Sequence, residues 1–161
     1  MNEPVYLEDV FKLSGIPIIT FVEPDEYQNL YVSIRTAGRG VIIEGPSGIG
    51  KTTCVRQVIE KLKSEPSNKI IKDFQVLSGR KNSDIKKIDD ILSTSNFGEV
   101  IIDDLHKLDD DLKHTISDLL KVLANEQPDN SKLIIIGINK TGKSLINLTP
   151  DLLSRISIVK F

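Results

Sequence analysis

Apolar residues recur along this chain in two alternating rhythms. Tyr27, Leu30, Tyr31 and Ile34 fall at i, i+3, i+4 and i+7, with Pro24-Asp25 ahead and Gly38 behind, which predicts a capped amphipathic helix over 25–37. Val55, Val58, Ile59 and Leu62 repeat that spacing, and this second helix is expected to stop before Pro66. Ile85, Ile88 and Leu92 mark a third. Leu112, Ile116, Leu119, Leu120 and Leu123 mark a fourth, started by Asp109-Asp110-Asp111, where negative charge suits a helix N-terminus. Between the helices lie short, mostly apolar runs: Val41-Ile42-Ile43, Phe74-Gln75-Val76-Leu77, Val100-Ile101-Ile102, Leu133 to Ile136, and Ile156 to Phe161. Such runs predict buried strands, and buried strands separated by helices imply a parallel sheet covered on both faces. Functional loops in such a sheet lie at the carboxyl ends of the strands.

The first strand runs directly into Gly45-Pro46-Ser47-Gly48-Ile49-Gly50-Lys51-Thr52-Thr53, which contains Gly-x4-Gly-Lys-Thr between a strand and a helix. Gly45, Gly48 and Gly50 let the backbone curl tightly around an anion, with its N–H groups pointing inward. Lys51 is placed to reach the β- and γ-phosphates as an outward-facing ligand clear of the core. The Thr52 hydroxyl can ligate a Mg²⁺ that keeps most of its shell as water and phosphate oxygen. The positive end of the following helix adds to the field. The pattern is that of a phosphate-binding loop for a nucleoside triphosphate.

Two further strand ends carry polar groups. Asp103 and Asp104 emerge together from Val100-Ile101-Ile102, where one carboxylate can hold Mg²⁺ through its water shell and the next can polarise an attacking water. Asn139 follows the run from Leu133 to Ile138 and reads either as a group orienting that water against the γ-phosphate or as a turn former before Lys140-Thr141-Gly142.

At 161 residues with 39% hydrophobic content, the chain is one domain's worth and can bury a sizeable core. No run approaches the roughly 18 apolar residues of a membrane span. Glu3, Glu8 and Asp9 exclude a basic-then-apolar signal pattern, so the expected setting is cytoplasmic. A net charge of −2 argues against a dominant nucleic-acid surface, although nucleic acid as a partner stays open. Arg80-Lys81 reads as a solvated loop outside the catalytic set, with contact to a neighbouring subunit or nucleic acid as the alternative. The single cysteine, Cys54, can form no internal disulfide and reads as a helix-packing residue; His106 and His114 lack metal-ligand spacing and read as surface helix residues.

The order of phosphate loop, acidic strand end, Asn-terminated strand and Pro150-Asp151-Leu152-Leu153-Ser154-Arg155-Ile156 resembles the AAA+ ATPases and the related STAND signalling NTPases, from about Phe21 to Phe161. The resemblance implies an α/β fold, a three-layer αβα P-loop NTPase core with a five-stranded parallel sheet of order 5-1-4-3-2. It implies ATP, ADP after hydrolysis, and Mg²⁺ as ligands, with GPSGIGKT as Walker A and VIIDD as Walker B. Lys51, Asp104, Asn139 (as sensor 1) and Arg155 are then the catalytic set, Gly45 to Thr53 the nucleotide cradle, and Thr52 with Asp103 the metal ligands. Arg155 matches the arginine that AAA+ proteins present to a neighbour's nucleotide, which implies self-association of the full-length protein through that face.

The departures are informative. Asp-Asp replaces the usual Asp-Glu and is closer to the STAND habit, and Val22-Glu23-Pro24 stands where the family often has Gly-Arg. The family's helical lid, with its second sensor arginine, is expected after Phe161. The chain therefore reads as a nucleotide-binding core, residues 25–161, preceded by a segment, 1–24, packed on it, and belonging to a longer protein. The expected function is a nucleotide-gated oligomerisation switch in signalling or defence. The alternative is a motor-type ATPase that remodels or loads protein or nucleic acid.

Overall fold

In a computed structural model, which describes residues 21–66, 74–94, 97–127 and 131–161, five strands form one parallel sheet. They are β1 (Gly40–Glu44), β2 (Phe74–Ser78), β3 (Glu99–Asp103), β4 (Lys132–Gly137) and β5 (Ile156–Lys160), in spatial order β2-β3-β4-β1-β5. Read from the other edge, this is the expected 5-1-4-3-2. Val41, Ile42 and Ile43 lie opposite Ile134, Ile135 and Ile136, so side chains alternate in step across the centre of the sheet.

That alternation divides the core in two. Val41, Ile43, Ile101, Ile134 and Ile136 bury against α1 (Tyr27–Arg35) and α2 (Lys51–Lys63), through Leu30, Ile34, Val55 and Val58. On the other face, Ile42, Val100, Ile102, Leu133 and Ile135 meet α3 (Asn82–Leu92), α4 (Asp110–Glu126) and α5 (Thr141–Leu148), through Ile88, Ile116, Leu120 and Leu145. Each such side chain contributes about 1.5–3 kcal/mol by leaving water, so these two layers hold the sheet ends in place.

Several expectations need correction. α1 is shorter than 25–37, because Glu26 supplies no side-chain cap and Thr36 is already extended. Coverage on both faces fails at the edge strand β2, where Val76 is 44% exposed. Asn139 and Lys140 form a turn, and Thr141 after them opens α5, an unexpected helix. His106 lies half-buried in a 3₁₀ turn, Leu105–Lys107, and its buried Nδ1 has no hydrogen-bond partner among the described residues; His114 is exposed on α4. Cys54 packs in the core, where burial pushes its thiol up to about 11. Asp109 caps α4, its Oδ1 accepting from Leu112 N at 2.9 Å. Of the segment 1–24, residues 1–20 lie outside the described residues; Phe21 packs its ring 5.9 Å from that of Tyr27. Among the described residues no helix is long and apolar enough to cross a membrane.

Lys132, the first residue of β4, was not anticipated. It is 1% exposed, and its Nζ donates to the carbonyl oxygens of Ser33, Thr36 and Arg39 at 2.9, 2.6 and 2.7 Å. The ammonium thereby closes the C-terminal end of α1 against the start of β1. Burial pushes its pKa down to about 7.

Candidate nucleotide-binding site

The carboxyl end of the sheet opens into a cavity of about 450 Å³, lined by the loop after β1, the ends of β3 and β4, and the turn after β2. The loop's shape follows from its glycines. Gly48 and Gly50 have φ of 81° and 93°, a left-handed backbone that side chains resist, and both face open space, nothing standing within 4 Å of where a Cβ would be. Gly50 directly precedes α2, so the first amides of that helix, at Lys51, Thr52 and Thr53, lack intrahelical partners. Pro46, Ser47 and Ile49 are exposed around the loop, while Gly45 is buried beneath it, where a Cβ would fall 2.8 Å from Phe161 O.

Lys51 is 8% exposed rather than outward-facing. Its Nζ donates to Gly45 O and Pro46 O at 3.0 and 2.7 Å, folding back over the loop that it follows. Thr52 Oγ1 donates to Asp103 Oδ2 at 3.1 Å, and Asp103 Oδ1 accepts from Asp104 N at 2.7 Å. The last residue of β3 is thus tied to the first turn of α2. A hydroxyl and a carboxylate oxygen this close are hard donors suited to Mg²⁺, which draws most of its shell from water and phosphate. Among the described residues no group of three or more His, Cys, Asp or Glu is placed to hold a metal ion.

Asp104 has φ of 58°, a left-handed conformation that aspartate tolerates better than most residues. Its Oδ2 accepts from Arg80 Nε at 2.8 Å and from Ser78 Oγ at 3.4 Å. The Arg80 hydrogen bond and charge hold the Asp104 carboxyl below its usual range, against the opposing effect of desolvation. Arg80 can approach because residue 79 is glycine. Gly79 N donates to Asp103 O at 2.9 Å, and a Cβ there would sit 2.6 Å from Asp104 O. Arg80 also lines the cavity. The solvated-loop reading of Arg80 holds in part: its side chain is 59% exposed in the turn after β2, but it pairs with Asp104 and lines the cavity, whereas the neighbouring Lys81 is an exposed residue ahead of α3.

Lys51, Thr52, Asp103 and Asp104 converge on this cavity. Asn139 is exposed immediately after Ile138, which lines it. Arg155 is elsewhere. It precedes β5, whose first residue, Ile156, lies opposite Gly40 at the amino end of β1. The whole length of β1 therefore separates Arg155 from the phosphate loop of its own chain. Arg155 Nη1 donates to Asn125 Oδ1, and Arg39 Nη2 donates to Ser154 O at 3.0 Å, beside a second cavity of about 330 Å³.

Sequence reading also passed over Glu44. It ends β1, is 8% exposed, and its Oε2 accepts from Gly142 N at 2.9 Å. The available signal was a charge closing an otherwise apolar strand.

Sheet order, strand-loop-helix phosphate cradle and paired acids at the third strand define a P-loop nucleotide-binding core. The chain belongs to the AAA family: the model of the "ATPase family associated with various cellular activities (AAA)" matches residues 41–161. No curated protein matches the chain in sequence. Solved structures similar in fold include Aeropyrum pernix ORC1 in complex with DNA, at TM-score 0.60 and 15% identity over 87% of this chain and 46% of that one. A single-residue variant of Thermotoga maritima RuvB gives TM-score 0.54 and 19% identity over 85% and 44%. The S. cerevisiae Hsp104:casein complex gives 0.50 and 16% over 84% and 26%. The chain spans less than half the length of each of these structures, and at such identities the likeness shows the fold alone. Family membership makes ATP the general nucleotide, with Mg²⁺, and ATP hydrolysis the general reaction.

Proposed function

We propose that this chain is the ATP-binding and ATP-hydrolysing core of a nucleotide-gated assembly module whose active site is completed by Arg155 of a second copy. The supporting observation is the division of charge: Lys51, Thr52, Asp103 and Asp104 surround one cavity, while Arg155 lies at the opposite end of the sheet. In this reading the amides from Gly45 to Thr53 bind the phosphates, and Lys51 exchanges the carbonyls of Gly45 and Pro46 for β- and γ-phosphate oxygens. Thr52 and Asp103 hold Mg²⁺, which neutralises phosphate charge. Asp104 accepts a hydrogen bond from the attacking water, Asn139 orients that water, and Arg155 from the neighbour stabilises charge on the transferred phosphoryl group.

The Arg80–Asp104 ion pair favours the switch over the motor. Asp104 Oδ2 is engaged by a cation of its own chain, and in this reading that contact slows water activation and prolongs the nucleotide-bound state. A signalling or defence switch needs such a state. The motor reading takes its support from the similar structures, which include a DNA complex and a casein complex. Single-turnover hydrolysis of Mg-ATP by the parent and by Asp104→Asn is the test. The variant is expected to bind ATP like the parent and to hydrolyse it about 10²-fold more slowly, the scale of a lost general-base contribution. Equal rates would place water activation elsewhere, and parent turnover faster than about once per second would favour the motor.

A further inference from the structure

Helix α5 starts without a cap from its own sequence. Its N-cap residue, Lys140, has φ of 68° and no side-chain cap hydrogen bond. The acceptor comes from the middle of the sheet instead: Glu44 Oε2 takes the N–H of Gly142 at 2.9 Å, across 98 positions of sequence. A helix leaves its first amides unpartnered and its N-terminus positive, so a buried carboxylate there is favoured on both counts. Lys160 Nζ, on a 75% exposed side chain, adds a looser contact of 3.7 Å to Oε1.

The turn ahead of α5 is otherwise closed on itself. Thr141 N and Oγ1 both donate to Ile138 O, at 3.2 and 2.6 Å. Thr141 fits there because residue 137 is glycine, a Cβ at that position falling 2.0 Å from Thr141 Oγ1. These contacts shape the turn but do not place it against the phosphate loop. Glu44 does, because the loop begins at the next residue, Gly45, and the turn it grips carries Asn139.

We propose that Glu44 is a positioning residue for ATP hydrolysis, locking the 138–142 turn to the phosphate loop so that Asn139 keeps its place beside the γ-phosphate; this rests on the role proposed above for Asn139. Glu44 touches no substrate in this scheme. Its loss lets the turn shift while the phosphate cradle itself persists, so hydrolysis suffers more than binding.

The test combines single-turnover hydrolysis, with protein in excess over labelled ATP, and ATP affinity by calorimetry. Glu44→Ala is expected to slow hydrolysis about 10²-fold, the scale set by a misplacement of about 1 Å, while Kd changes less than about threefold. Glu44→Gln keeps an oxygen acceptor and should recover most of the rate. Glu44→Asp keeps the charge but is one methylene shorter; it should lose as much as alanine, and it replaces alanine should that variant fail to fold. Exchange of the Gly142 amide should rise in the alanine and aspartate variants and not in glutamine. A parental rate in a variant whose Gly142 amide exchanges faster would overturn the proposal, as would equal losses in rate and affinity. Asn139→Ala separates the two levels of the reading. If it hydrolyses like the parent, the role of Asn139 fails; if it is slow and Glu44→Ala slows it further by the full factor, the linkage between the two residues fails.

Discussion

Replacing Lys51 by alanine perturbs two quantities that can be measured apart. Its ammonium donates to Gly45 O and Pro46 O at 3.0 and 2.7 Å, and the side chain is buried. Alanine leaves both carbonyls without that donor. Pro46 is exposed and its carbonyl can turn to water, whereas Gly45 is buried, so one unsatisfied acceptor costs about 1–3 kcal/mol of stability. The variant is therefore less stable than the parent, which an outward-facing lysine would not have implied. Toward nucleotide, the same ammonium would donate to two phosphate oxygens. Hydrogen bonds to charged groups contribute about 1.5–3 kcal/mol each, so losing two, offset by the carbonyl bonds that the parent gives up, weakens ATP binding by at most about 3–6 kcal/mol, or up to roughly 10²- to 10⁴-fold in Kd. Thermal unfolding reads the first effect and calorimetry at a temperature where the variant is folded reads the second. A folded variant that binds ATP as tightly as the parent would refute the phosphate-loop assignment itself.

Three further predictions concern Asp103, Arg80 and Lys132. Asp103→Asn should raise the Mg²⁺ concentration needed for half-maximal ATP binding at least about tenfold, since the metal is left with a neutral amide oxygen in place of a carboxylate; an unchanged Mg²⁺ titration would remove Asp103 from the metal. Arg80→Ala frees Asp104 and is expected to speed single-turnover hydrolysis several-fold, whereas a slower rate would mean that Arg80 acts on the nucleotide instead. Lys132 predicts a pH dependence: burial lowers its pKa from 10.5 to about 7, so between those values the unfolded chain holds the extra proton. Stability should then rise with pH through that window, by at most about 1.4 kcal/mol per unit, with the three carbonyls on Nζ restraining the slope. The urea midpoint should climb from about pH 7 to 9 in the parent and not in Lys132→Met, and parallel profiles would show that Lys132 does not titrate there.

The central strands were legible because β1, β3 and β4 carry apolar, mostly β-branched runs buried on both faces, and the phosphate loop because its glycines and Lys51 sit at fixed spacing. What escaped notice depends on partners distant in sequence. α5 is short, contains Gly142, and takes its cap from Glu44, so neither periodicity nor a local capping residue announces it. Arg80 looked like a solvated loop residue because the carboxylate it meets lies 24 positions further on, and Gly79, which permits the approach, has no meaning until β2 and β3 are paired. Lys132 opens an apolar strand as a polar boundary would, yet it is buried by carbonyls from residues 33 to 39. Arg155 could be matched by its place in the motif order; its separation from the phosphate loop by the length of β1 emerges only from the strand register.

The most direct test of a shared active site uses two variants of this protein. Lys51→Ala subunits lack a working phosphate loop but keep Arg155, and Arg155→Ala subunits keep the loop but lack the arginine. Each alone should hydrolyse ATP poorly, Arg155→Ala by about 10³-fold or more relative to the parent with little loss of affinity, because an arginine acting in trans favours the transition state over the bound ground state. Mixed in equal amounts, random pairing places an intact loop beside an intact arginine at roughly a quarter of the interfaces, and ATPase activity should return to about that fraction of the parent. An assembly shown by mass to contain both variants, yet no more active than either alone, would contradict the account.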